Sequence, residues 1–499
     1  MCGIWFVDDK VDNLENADLI KHRGPDNTSV HKGNSSTFVF HRLAINDVSS
    51  KGDQPFVIDD TVFMCNGEIY NHKELETHFE IATESNSDCE VIANLIHQGV
   101  PTTKICNNID GVFAFVAKSA NQVIAARDPI GVRPLYFGYN ENKKVCFSSE
   151  MKGLTNVCSD VKEFPPGHYM VNSILFSYYN ITISPAVYSC CTLRNTLTSA
   201  VSKRLVSDRP VGFFLSGGLD SSLIASLGAS MNRCEQIQTF SIGIGDSPDL
   251  KCAKKVADYI NSNHTEIRFT IEDGINAIHQ VIKSLETYDC TTIRASVPMY
   301  LLSKYVSNNT DIKVILSGEG ADELFGGYLY FHYAPDMTSF HNETVRLLQN
   351  VHVHDVLRAD RCTAAHGLEL RVPFFDRTLI DYVSNIYPAF KMPKQNKIEK
   401  QILRESFNGY LPDDILWRQK NGMSDAVGHS WVDAIKQHCA NIKQEVAYNK
   451  NPPLSNEEYF YRTIYHHHFG TTDNVKSIWR PQWTNETDPS ASLLDIFTQ

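Results

Sequence analysis

The residues best suited to chemistry form one short stretch, 216–222, which reads Ser-Gly-Gly-Leu-Asp-Ser-Ser. The apolar segment 211–215 before it predicts a short buried strand, and the segment 223–227 after it predicts the start of a helix. Adjacent glycines let backbone N–H groups approach a phosphate closely, and serine hydroxyls add donors at a helix N-terminus. Asp220 fits this setting as a ligand of Mg²⁺. A glycine turn without a ligand is the alternative, and the strand–turn–helix context favours phosphate binding.

The chemistry of this stretch differs from that of an ordinary P-loop, because the pattern G-x-x-x-x-G-K-[ST] is absent. The stretch resembles the pyrophosphate loop of N-type ATP pyrophosphatases, which split ATP into AMP and pyrophosphate in order to adenylate a substrate. That resemblance, and not the spacing, implies the type of reaction. The ATP-binding residues that it implies in this stretch are Leu215, Ser216, Gly217, Gly218, Leu219, Asp220, Ser221 and Ser222.

A second candidate for chemistry is Cys2. If Met1 is removed, Cys2 carries a thiol and a free α-amino group, whose ordinary pKa of about 7.7–8.0 suits a base near neutral pH. Nucleophile and base then belong to one residue, as in N-terminal-nucleophile enzymes. A cysteine at position two is weak evidence by itself, so the surrounding sequence has to support this interpretation.

The elements that must position Cys2 have the pattern of an antiparallel α+β domain, with strand-like segments between turns. The segment 87–90 has the spacing of a capping box and predicts a helix that buries Val91, Ile92, Leu95 and Ile96 and ends at Gly99. Polar motifs lie between the apolar segments, and because buried polar groups are costly unless paired, they predict a polar pocket. The predicted strands are 3–7, 37–45, 61–66, 111–117 and 122–126.

The same region resembles class II glutamine amidotransferase domains over residues 1–185. The motifs that carry the resemblance are Met-Cys-Gly-Ile, H-R-G-P-D, R-L-A-I, N-G-E-I-Y-N and S-D-C-E, in the order found in that family. Such domains hydrolyse glutamine to glutamate and ammonia, so the resemblance implies Cys2 as the nucleophile that attacks the side-chain amide. It implies Asn66 and Gly67 as the oxyanion hole.

The resemblance also implies how this chain would hold glutamine. Arg42 suits the α-carboxylate of the substrate as a bidentate donor, and Glu68 and Asp88 suit the α-ammonium group. The implied glutamine-binding residues are Arg42, Leu43, Ala44, Ile45, Asn46, Asn66, Gly67, Glu68 and Asp88.

The remainder of the chain predicts a second domain. A turn at 165–167 and a breaker at Ser184-Pro185 place the boundary near 185, which gives domains 1–185 and 186–499. Apolar residues then recur every four positions from Leu193 to Leu205, as in a helix. Further strands are predicted at 239–244 and 313–316, and their alternation with helices indicates a doubly wound parallel sheet.

In such a sheet, ligands bind beyond the carboxyl ends of the strands, where this chain has small and polar residues. The loop 317–323 follows the strand 313–316 and concentrates three carboxylates beside two glycines. An acidic turn in solvent is the alternative, and the position after a buried strand favours metal and nucleotide contacts.

From residue 1 to about 435 the chain resembles glutamine-dependent asparagine synthetases. The added motifs are 247–250, 286–289, 292–296, 326–328, 371–374 and 417–420. The implied fold is an α+β N-terminal-nucleophile sandwich of antiparallel sheets, followed by an α/β doubly wound parallel-sheet ATP pyrophosphatase domain with helical C-terminal additions. The end of the chain, from about Asn474, is polar and expected to be loose.

The implied reaction has two halves. The β-carboxylate of aspartate attacks the α-phosphate of ATP, giving β-aspartyl-AMP and pyrophosphate, and ammonia made at Cys2 converts that intermediate to asparagine and AMP. The resemblance implies Mg²⁺ on Asp220 and Asp322, and an internal passage for ammonia. Leu215, Ile242, Ser317 and Gly318 are implied to contact adenosine. The loop 216–222 is implied to hold the pyrophosphate, with Lys420 supplying remote positive charge, and Glu319 is implied to act in forming and using the acyl-adenylate.

Composition narrows the class of protein and its partners. The net charge is 46 − 58 = −12 and no basic stripe is present, which argues against nucleic acid or an anionic membrane as a partner. No apolar run is long enough to span a bilayer, and the N-terminus lacks the features of a signal peptide. Thirteen cysteines without a C-x-x-C pair predict a reducing compartment, the cytoplasm. The sequence does not decide the oligomeric state, and a homodimer is one of the open arrangements.

Two other functions stay open at this point. One is an amidotransferase of the same build that adenylates another carboxylate, such as a β-lactam-forming synthetase, although such relatives typically lose the N-terminal cysteine. The other is a non-catalytic metabolite sensor, against which the intact Cys2, Asn66, Asp220, Asp322 and Lys420 argue.

Overall fold

The structure is a computed structural model, and it describes residues 1–181, 186–232, 235–393, 398–420, 429–470 and 472–484. The predicted breaker at Ser184-Pro185, and with it the predicted boundary at 185, lies outside the described residues. The last fifteen residues, 485–499, lie outside them as well.

Two six-stranded antiparallel sheets form the first part of the chain. The strands are β1 (Gly3–Val7), β2 (Asn27–Lys32), β3 (Thr37–Arg42), β4 (Phe56–Ile58), β5 (Thr61–Ile69), β6 (Gly111–Ser119), β7 (Gln122–Arg127), β8 (Tyr136–Tyr139), β9 (Val145–Ser148), β10 (Val161–Glu163), β11 (His168–Val171) and β12 (Ile174–Ser177). Their orders are β10-β8-β9-β1-β3-β2 and β12-β11-β7-β6-β5-β4. All five strands predicted from the sequence are present, and the fold class is confirmed for this part.

The sheets pack face to face because their strands alternate apolar side chains toward a shared core. Ile4 and Phe6 of β1 contact Met64 of β5 and Val116 of β6 in this core. The outer face of the second sheet is covered by helices. The helices of this part are α1 (Glu15–Asp18), α2 (His72–Phe79), α3 (Glu90–His97) and α4 (Thr102–Asn108).

The start of α3 corrects one prediction. Val91, Ile92, Leu95 and Ile96 are buried as expected, but the capping box over 87–90 does not form. The helix begins at Glu90, whose carboxylate accepts hydrogen bonds from the backbone N–H groups of Glu84 and Ser85, 2.8 Å each. That carboxylate therefore ties down the preceding loop and does not cap its own helix.

A five-stranded parallel sheet with helices follows, in the order β15-β14-β13-β16-β17. Its strands are β13 (Val211–Phe214), β14 (Gln238–Gly243), β15 (Asn263–Arg268), β16 (Val314–Leu316) and β17 (Glu369–Arg371). Its helices are α5 (Cys190–Lys203), α6 (Leu219–Met231), α7 (Pro248–Tyr259), α8 (Ile271–Leu285), α9 (Cys290–Asn309) and α10 (Ala321–Phe325). The order reverses between β13 and β16, so a ligand crevice is expected beyond their carboxyl ends.

The first two of the remaining helices lie between β16 and β17 and the others after β17, so the C-terminal additions are helical, as predicted. These helices are α11 (Met337–Asn350), α12 (Asp355–Ala364), α13 (Arg377–Asn385), α14 (Pro388–Lys391), α15 (Gln401–Ser406), α16 (Asp413–Leu416), α17 (His429–Cys439) and α18 (Asn456–Phe469). Among the described residues, none of the helices combines the length and the apolar character that crossing a bilayer needs.

The tail differs from the expectation that it is loose from Asn474. Val475 and Trp479 are buried, and Trp479 packs against the rings of Tyr328 and Tyr330. The backbone N–H of Trp479 donates to Asp289 at 2.7 Å. Two aromatic contacts and a buried hydrogen bond hold this part of the tail to the body.

Two candidate active sites

The first site is a cleft lined by residues of the antiparallel sheets and their loops, and by Glu369 of the parallel sheet. Most of the residues predicted to bind glutamine line it, and Ala44 does not. The lining residues among the predicted set are Cys2, Arg42, Leu43, Ile45, Asn46, Asn66, Gly67, Glu68 and Asp88.

Cys2 and Asn66 meet in this cleft because β1 and β5 lie on facing sheets. The backbone N–H of Cys2 donates to Asn66 Oδ1 at 2.9 Å. This bond orients the Asn66 amide. The amide nitrogen, Nδ2, is buried and has no hydrogen-bond partner in the described part of the chain. A buried, unpaired amide donor beside a nucleophile is what an oxyanion hole requires.

The Cys2 thiol is itself largely shielded from solvent. Its Sγ lies 3.8 Å from the carbonyl oxygen of Leu43, and burial raises the pKa of the thiol. Met1 is buried beside it, and burial lowers the pKa of the N-terminal amine to about 6. This amine belongs to Met1, whereas the predicted base is the α-amino group that Cys2 carries once Met1 is removed.

Two carboxylates line the opposite wall of the cleft. Asn46 Nδ2 donates to Glu68 Oε2 at 2.8 Å and lies 3.4 Å from Asp88 Oδ1. Burial raises the pKa of both carboxyl groups. A bound ammonium group between them would favour their ionised forms, because an opposite charge offsets the cost of burial.

Arg42 lines the cleft, but its terminal nitrogens are already engaged. Nη1 donates to Ser49 O at 2.7 Å and to Asp53 at 2.6 Å, and Nη2 donates to the carbonyl of Asp47. For Arg42 to bind a substrate carboxylate, one of these contacts has to be exchanged for the ligand.

The wall nearest the parallel sheet comes from β17, which the sequence analysis did not place in this site. Glu369 lines the cleft, and Arg371 Nη2 lies 2.9 Å from Glu68 Oε1. Arg371 belongs to a motif that carried the family resemblance, so a signal existed for that residue. Glu369 gave none.

The second site lies at the crevice between β13 and β16. The glycine-rich loop leads from β13 into α6, and Gly218 begins the helix without a side-chain cap, which leaves backbone donors free for an anion. Gly217 has φ +74°, and a Cβ there would lie 2.4 Å from Ala253 N. Ser216 and Ser221 hydroxyl oxygens lie 2.9 Å apart, and Ser222 Oγ is buried without a partner in the described residues.

The loop after β16 packs directly on the glycine-rich loop, since a Cβ at Gly318 would lie 2.5 Å from Ser221 N. The two loops bring Asp220 and Asp322 to the same place, as the sequence predicted. Lys400 Nζ lies between them, 2.6 Å from Asp220 Oδ2 and 2.6 Å from Asp322 Oδ1. Lys420 Nζ lies 2.5 Å from Asp322 Oδ2.

The two lysines compensate the charge of the two aspartates in this crevice. Burial opposes the ionisation of Asp322, but Lys400 and Lys420 outweigh it and hold the pKa of that carboxyl well below its usual range. The pKa of Lys420 is raised by Asp322 and Asp220 against the cost of burial. Lys400 was missed by the sequence analysis because a lone lysine, twenty residues before Lys420, matches no local pattern.

The donor set tests whether Mg²⁺ fits here. Asp220 Oδ1 is buried and accepts no hydrogen bond from the described residues, and Asp322 is ionised. Hard carboxylate oxygens are the ligands that Mg²⁺ prefers. No group of three or more His, Cys, Asp or Glu side chains gathers into a metal site in the described ranges. The residues present therefore fit an ion that takes its remaining ligands from phosphate and water.

The remaining predicted residues surround the crevice. Glu319 Oε2 lies 2.6 Å from Arg358 Nη2, and burial raises the pKa of this carboxyl although Arg358 counteracts it. Leu215, Ile242 and Ser317 are buried at the carboxyl ends of β13, β14 and β16.

Known protein families and structures resemble this chain. Residues 1–189 match the family model described as glutamine amidotransferase domain, and residues 192–341 and 334–493 match the model described as asparagine synthase. A solved glutamine phosphoribosylpyrophosphate amidotransferase from B. subtilis is similar at 14% identity and a TM-score of 0.32, covering 54% of this chain and 91% of the other.

Similarity to curated proteins extends over nearly the whole chain. An asparagine synthetase [glutamine-hydrolyzing] 3 of Arabidopsis thaliana is 41% identical, over 98% of this chain and 94% of the relative. The asparagine synthetase [glutamine-hydrolyzing] of Rattus norvegicus is 42% identical, over 99% of this chain and 98% of the relative. The chain belongs to the family of glutamine-hydrolysing asparagine synthetases.

Proposed function

We propose that this protein synthesises L-asparagine from L-aspartate and ATP with ammonia from glutamine, through β-aspartyl-AMP, and releases AMP, pyrophosphate and glutamate. The observation that carries the proposal is that one chain, similar to such synthetases from end to end, holds both sites. Residues 1–185 provide the glutaminase and residues 186–499 the synthetase.

In the glutaminase half, the Cys2 thiolate attacks the side-chain carbonyl carbon of glutamine. Asn66 Nδ2, the buried free donor, and the Gly67 N–H stabilise the oxyanion. The α-amino group that Cys2 carries once Met1 is removed takes the thiol proton and returns it to the nitrogen, so that the C–N bond breaks and ammonia leaves. Water then hydrolyses the thioester to glutamate and regenerates the thiol. Glu68 and Asp88 hold the α-ammonium group, and Arg42 exchanges a protein contact for the α-carboxylate.

In the synthetase half, a β-carboxylate oxygen of aspartate attacks the α-phosphorus of ATP and displaces pyrophosphate. The free N–H groups of the glycine-rich loop and the ammonium of Lys420 bind the pyrophosphate. Asp220 and Asp322 would hold Mg²⁺, which supplies charge neutralisation on the phosphates when bound. Adenosine lies against Leu215, Ile242, Ser317 and Gly318.

Ammonia then adds to the β-carbonyl carbon, AMP leaves with the C–O electron pair, and one proton is lost from nitrogen. We assign Glu319 to take that proton, and this is supported by burial, which raises the pKa of its carboxyl and so strengthens it as a base. Ammonia has to arrive unprotonated, which supports an internal passage between the two sites.

We place the enzyme in the cytoplasm and propose a homodimer as the assembly to test. All twelve cysteines in the described part of the chain are free thiols, which suits a reducing compartment. Light scattering of the purified protein measures the assembly.

The experiment is an assay of purified protein with ATP, Mg²⁺ and aspartate, with either glutamine or ammonium, that measures asparagine, AMP, pyrophosphate and glutamate. Cys2→Ala should abolish asparagine formation from glutamine and keep it from ammonium. Glutamate release without asparagine or AMP would refute aspartate as the acceptor. Ligand binding without any turnover would indicate a sensor.

A further inference from the structure

We infer that Asp360, on α12 beside the synthetase site, is a positioning residue for the glutaminase nucleophile and acts on Cys2 through Arg23. Arg23 Nε donates to the carbonyl oxygen of Cys2 at 3.1 Å. The other two nitrogens of Arg23 bind the Asp360 carboxylate as a fork, at 3.0 and 3.2 Å. This inference rests on the proposed glutamine hydrolysis at Cys2.

The two hydrogen bonds from Arg23 to the Asp360 carboxylate fix the direction of Arg23 Nε. Arg23 is fully buried, and so is Glu150, which contacts only one of its nitrogens, at 2.7 Å. Glu150 is also shared with Arg361 at 2.8 Å. A single contact of this kind leaves the guanidinium plane free to turn, whereas two parallel bonds to Asp360 fix it.

Cys2 depends on such an anchor because removal of Met1, which the proposed glutaminase requires, makes it a chain end. Its backbone is held ahead of β1 by the bond from its N–H to Asn66 and the bond from Arg23 to its carbonyl. Residues at chain ends are poorly ordered unless they are tied down. A misplacement of about 1 Å at a reacting atom costs on the order of 100-fold in rate.

Asp360 is separated in sequence from the glutaminase residues, and its neighbour on the same helix serves the other site. Arg358, two residues earlier, reaches Glu319 at 2.6 Å. A role limited to folding would lower both activities when Asp360 is changed. A positioning role lowers the glutaminase and spares synthesis from ammonium.

The test compares Asp360→Asn with Glu286→Gln in the full-length protein. Glu286 is a matched control, because it is buried in the same ion network, where it pairs with Arg361 at 3.1 Å. For Asp360→Asn we expect kcat for glutamine hydrolysis to fall by about 10- to 100-fold. We expect its KM for glutamine and its ammonium-dependent kcat to stay within about threefold. Glu286→Gln should keep the wild-type ratio of the two activities.

A second measurement keeps the inference testable apart from turnover. Iodoacetamide should alkylate the Cys2 thiol several-fold faster in Asp360→Asn than in Glu286→Gln or the wild type, because a loosened chain end exposes the thiol to water. The double variant Arg23→Lys/Asp360→Asn should be no worse in glutamine hydrolysis than either single variant, since both act through one contact.

The outcomes separate this inference from the proposed function. Wild-type glutaminase rates in Asp360→Asn, or equal losses of both activities in Asp360→Asn and Glu286→Gln, would overturn the positioning role. Wild-type protein that releases glutamate but makes no asparagine would refute the proposed function and leave the comparison of glutaminase rates valid. If the wild type does not hydrolyse glutamine, the alkylation rate of Cys2 decides.

Discussion

Arg371, at the end of the last strand of the parallel sheet, lies 2.9 Å from Glu68 in the glutamine cleft. Both side chains are buried. The strand β17 that carries Arg371 pairs with β16, which leads into the acidic loop of the ATP crevice. One edge of the parallel sheet therefore forms part of the wall of the first cleft, and the two candidate sites share a rigid element.

Arg371→Met should destabilise the protein by about 3–5 kcal/mol, because it removes a buried cation that pairs with Glu68 and with the ionised Glu369. Adding Glu68→Gln should recover part of this loss, since it removes the carboxyl that Arg371 no longer stabilises at this contact. Urea unfolding followed by tryptophan fluorescence measures both. Losses that simply add would contradict a direct interaction between the two residues.

Asn66→Asp should reduce kcat for glutamine hydrolysis by about 10²- to 10³-fold, the cost of removing one oxyanion donor. The substitution keeps the shape of the side chain but replaces the free Nδ2 by an oxygen. Ammonium-dependent asparagine synthesis should stay at the wild-type rate, and steady-state kinetics with either nitrogen source provides the measurement. A loss confined to KM would argue that Asn66 binds the ground state only.

Asp322→Asn should lower ATP-dependent pyrophosphate release by at least about 100-fold and raise the Mg²⁺ concentration needed for half-maximal rate. The physical reason is that Asp322 pairs with both Lys400 and Lys420 and is a proposed ligand of the ion. Asp246→Asn is a matched control, because Asp246 is an exposed carboxylate at the same edge of the sheet. Unchanged Mg²⁺ dependence in Asp322→Asn would remove Asp322 from the metal site.

Much of the fold could be predicted because local patterns were sufficient. The strands β1 and β7 lie where the apolar segments 3–7 and 122–126 predicted them. Asp220 and Asp322 converge because both follow parallel strands that are neighbours, and the carboxyl ends of such strands share one edge.

What the sequence could not predict depends on contacts between distant segments. Lys400, Glu369 and Asp360 are single charged residues without a periodic or motif context, and each pairs with a residue far away along the chain, respectively Asp322, Arg133 and Arg23. The capping box predicted at 87–90 does not form for a similar reason. The Glu90 carboxylate accepts hydrogen bonds from the backbone N–H groups of Glu84 and Ser85 in the preceding loop. The roles of the predicted site residues, and the boundary at 185, stay predictions.

Gly217→Ala should impair ATP-dependent pyrophosphate release and lower stability by more than Gly245→Ala does. Both glycines have positive φ, +74° and +55°, so both substitutions carry the left-handed backbone penalty of about 1 kcal/mol. Only at Gly217 would the added Cβ meet backbone, 2.4 Å from Ala253 N, whereas nothing lies within 4 Å at Gly245. Equal effects of the two substitutions on the urea midpoint and on pyrophosphate release would show that backbone conformation alone explains the role of Gly217.

Acid should destabilise the wall of the glutamine cleft through Glu369. Burial opposes ionisation of this carboxyl, but Arg133 and Arg371 outweigh it and lower its pKa to about 2 from the ordinary 4.5. Because the pKa in the folded state is the lower one, the unfolded state takes up the proton first on acidification. The stability that Glu369 contributes above pH 4.5 is therefore lost as the pH falls from about 4.5 toward about 2.

In Glu369→Gln the urea midpoint should fall less between about pH 4.5 and about pH 2 than in the wild type, although the variant starts lower because Arg133 and Arg371 lose a buried partner. Glu141→Gln, at an exposed glutamate, should retain the wild-type pH dependence. A Glu369→Gln midpoint that falls as steeply as the wild type's would mean that other carboxylates, and not this one, set the acid sensitivity of the fold.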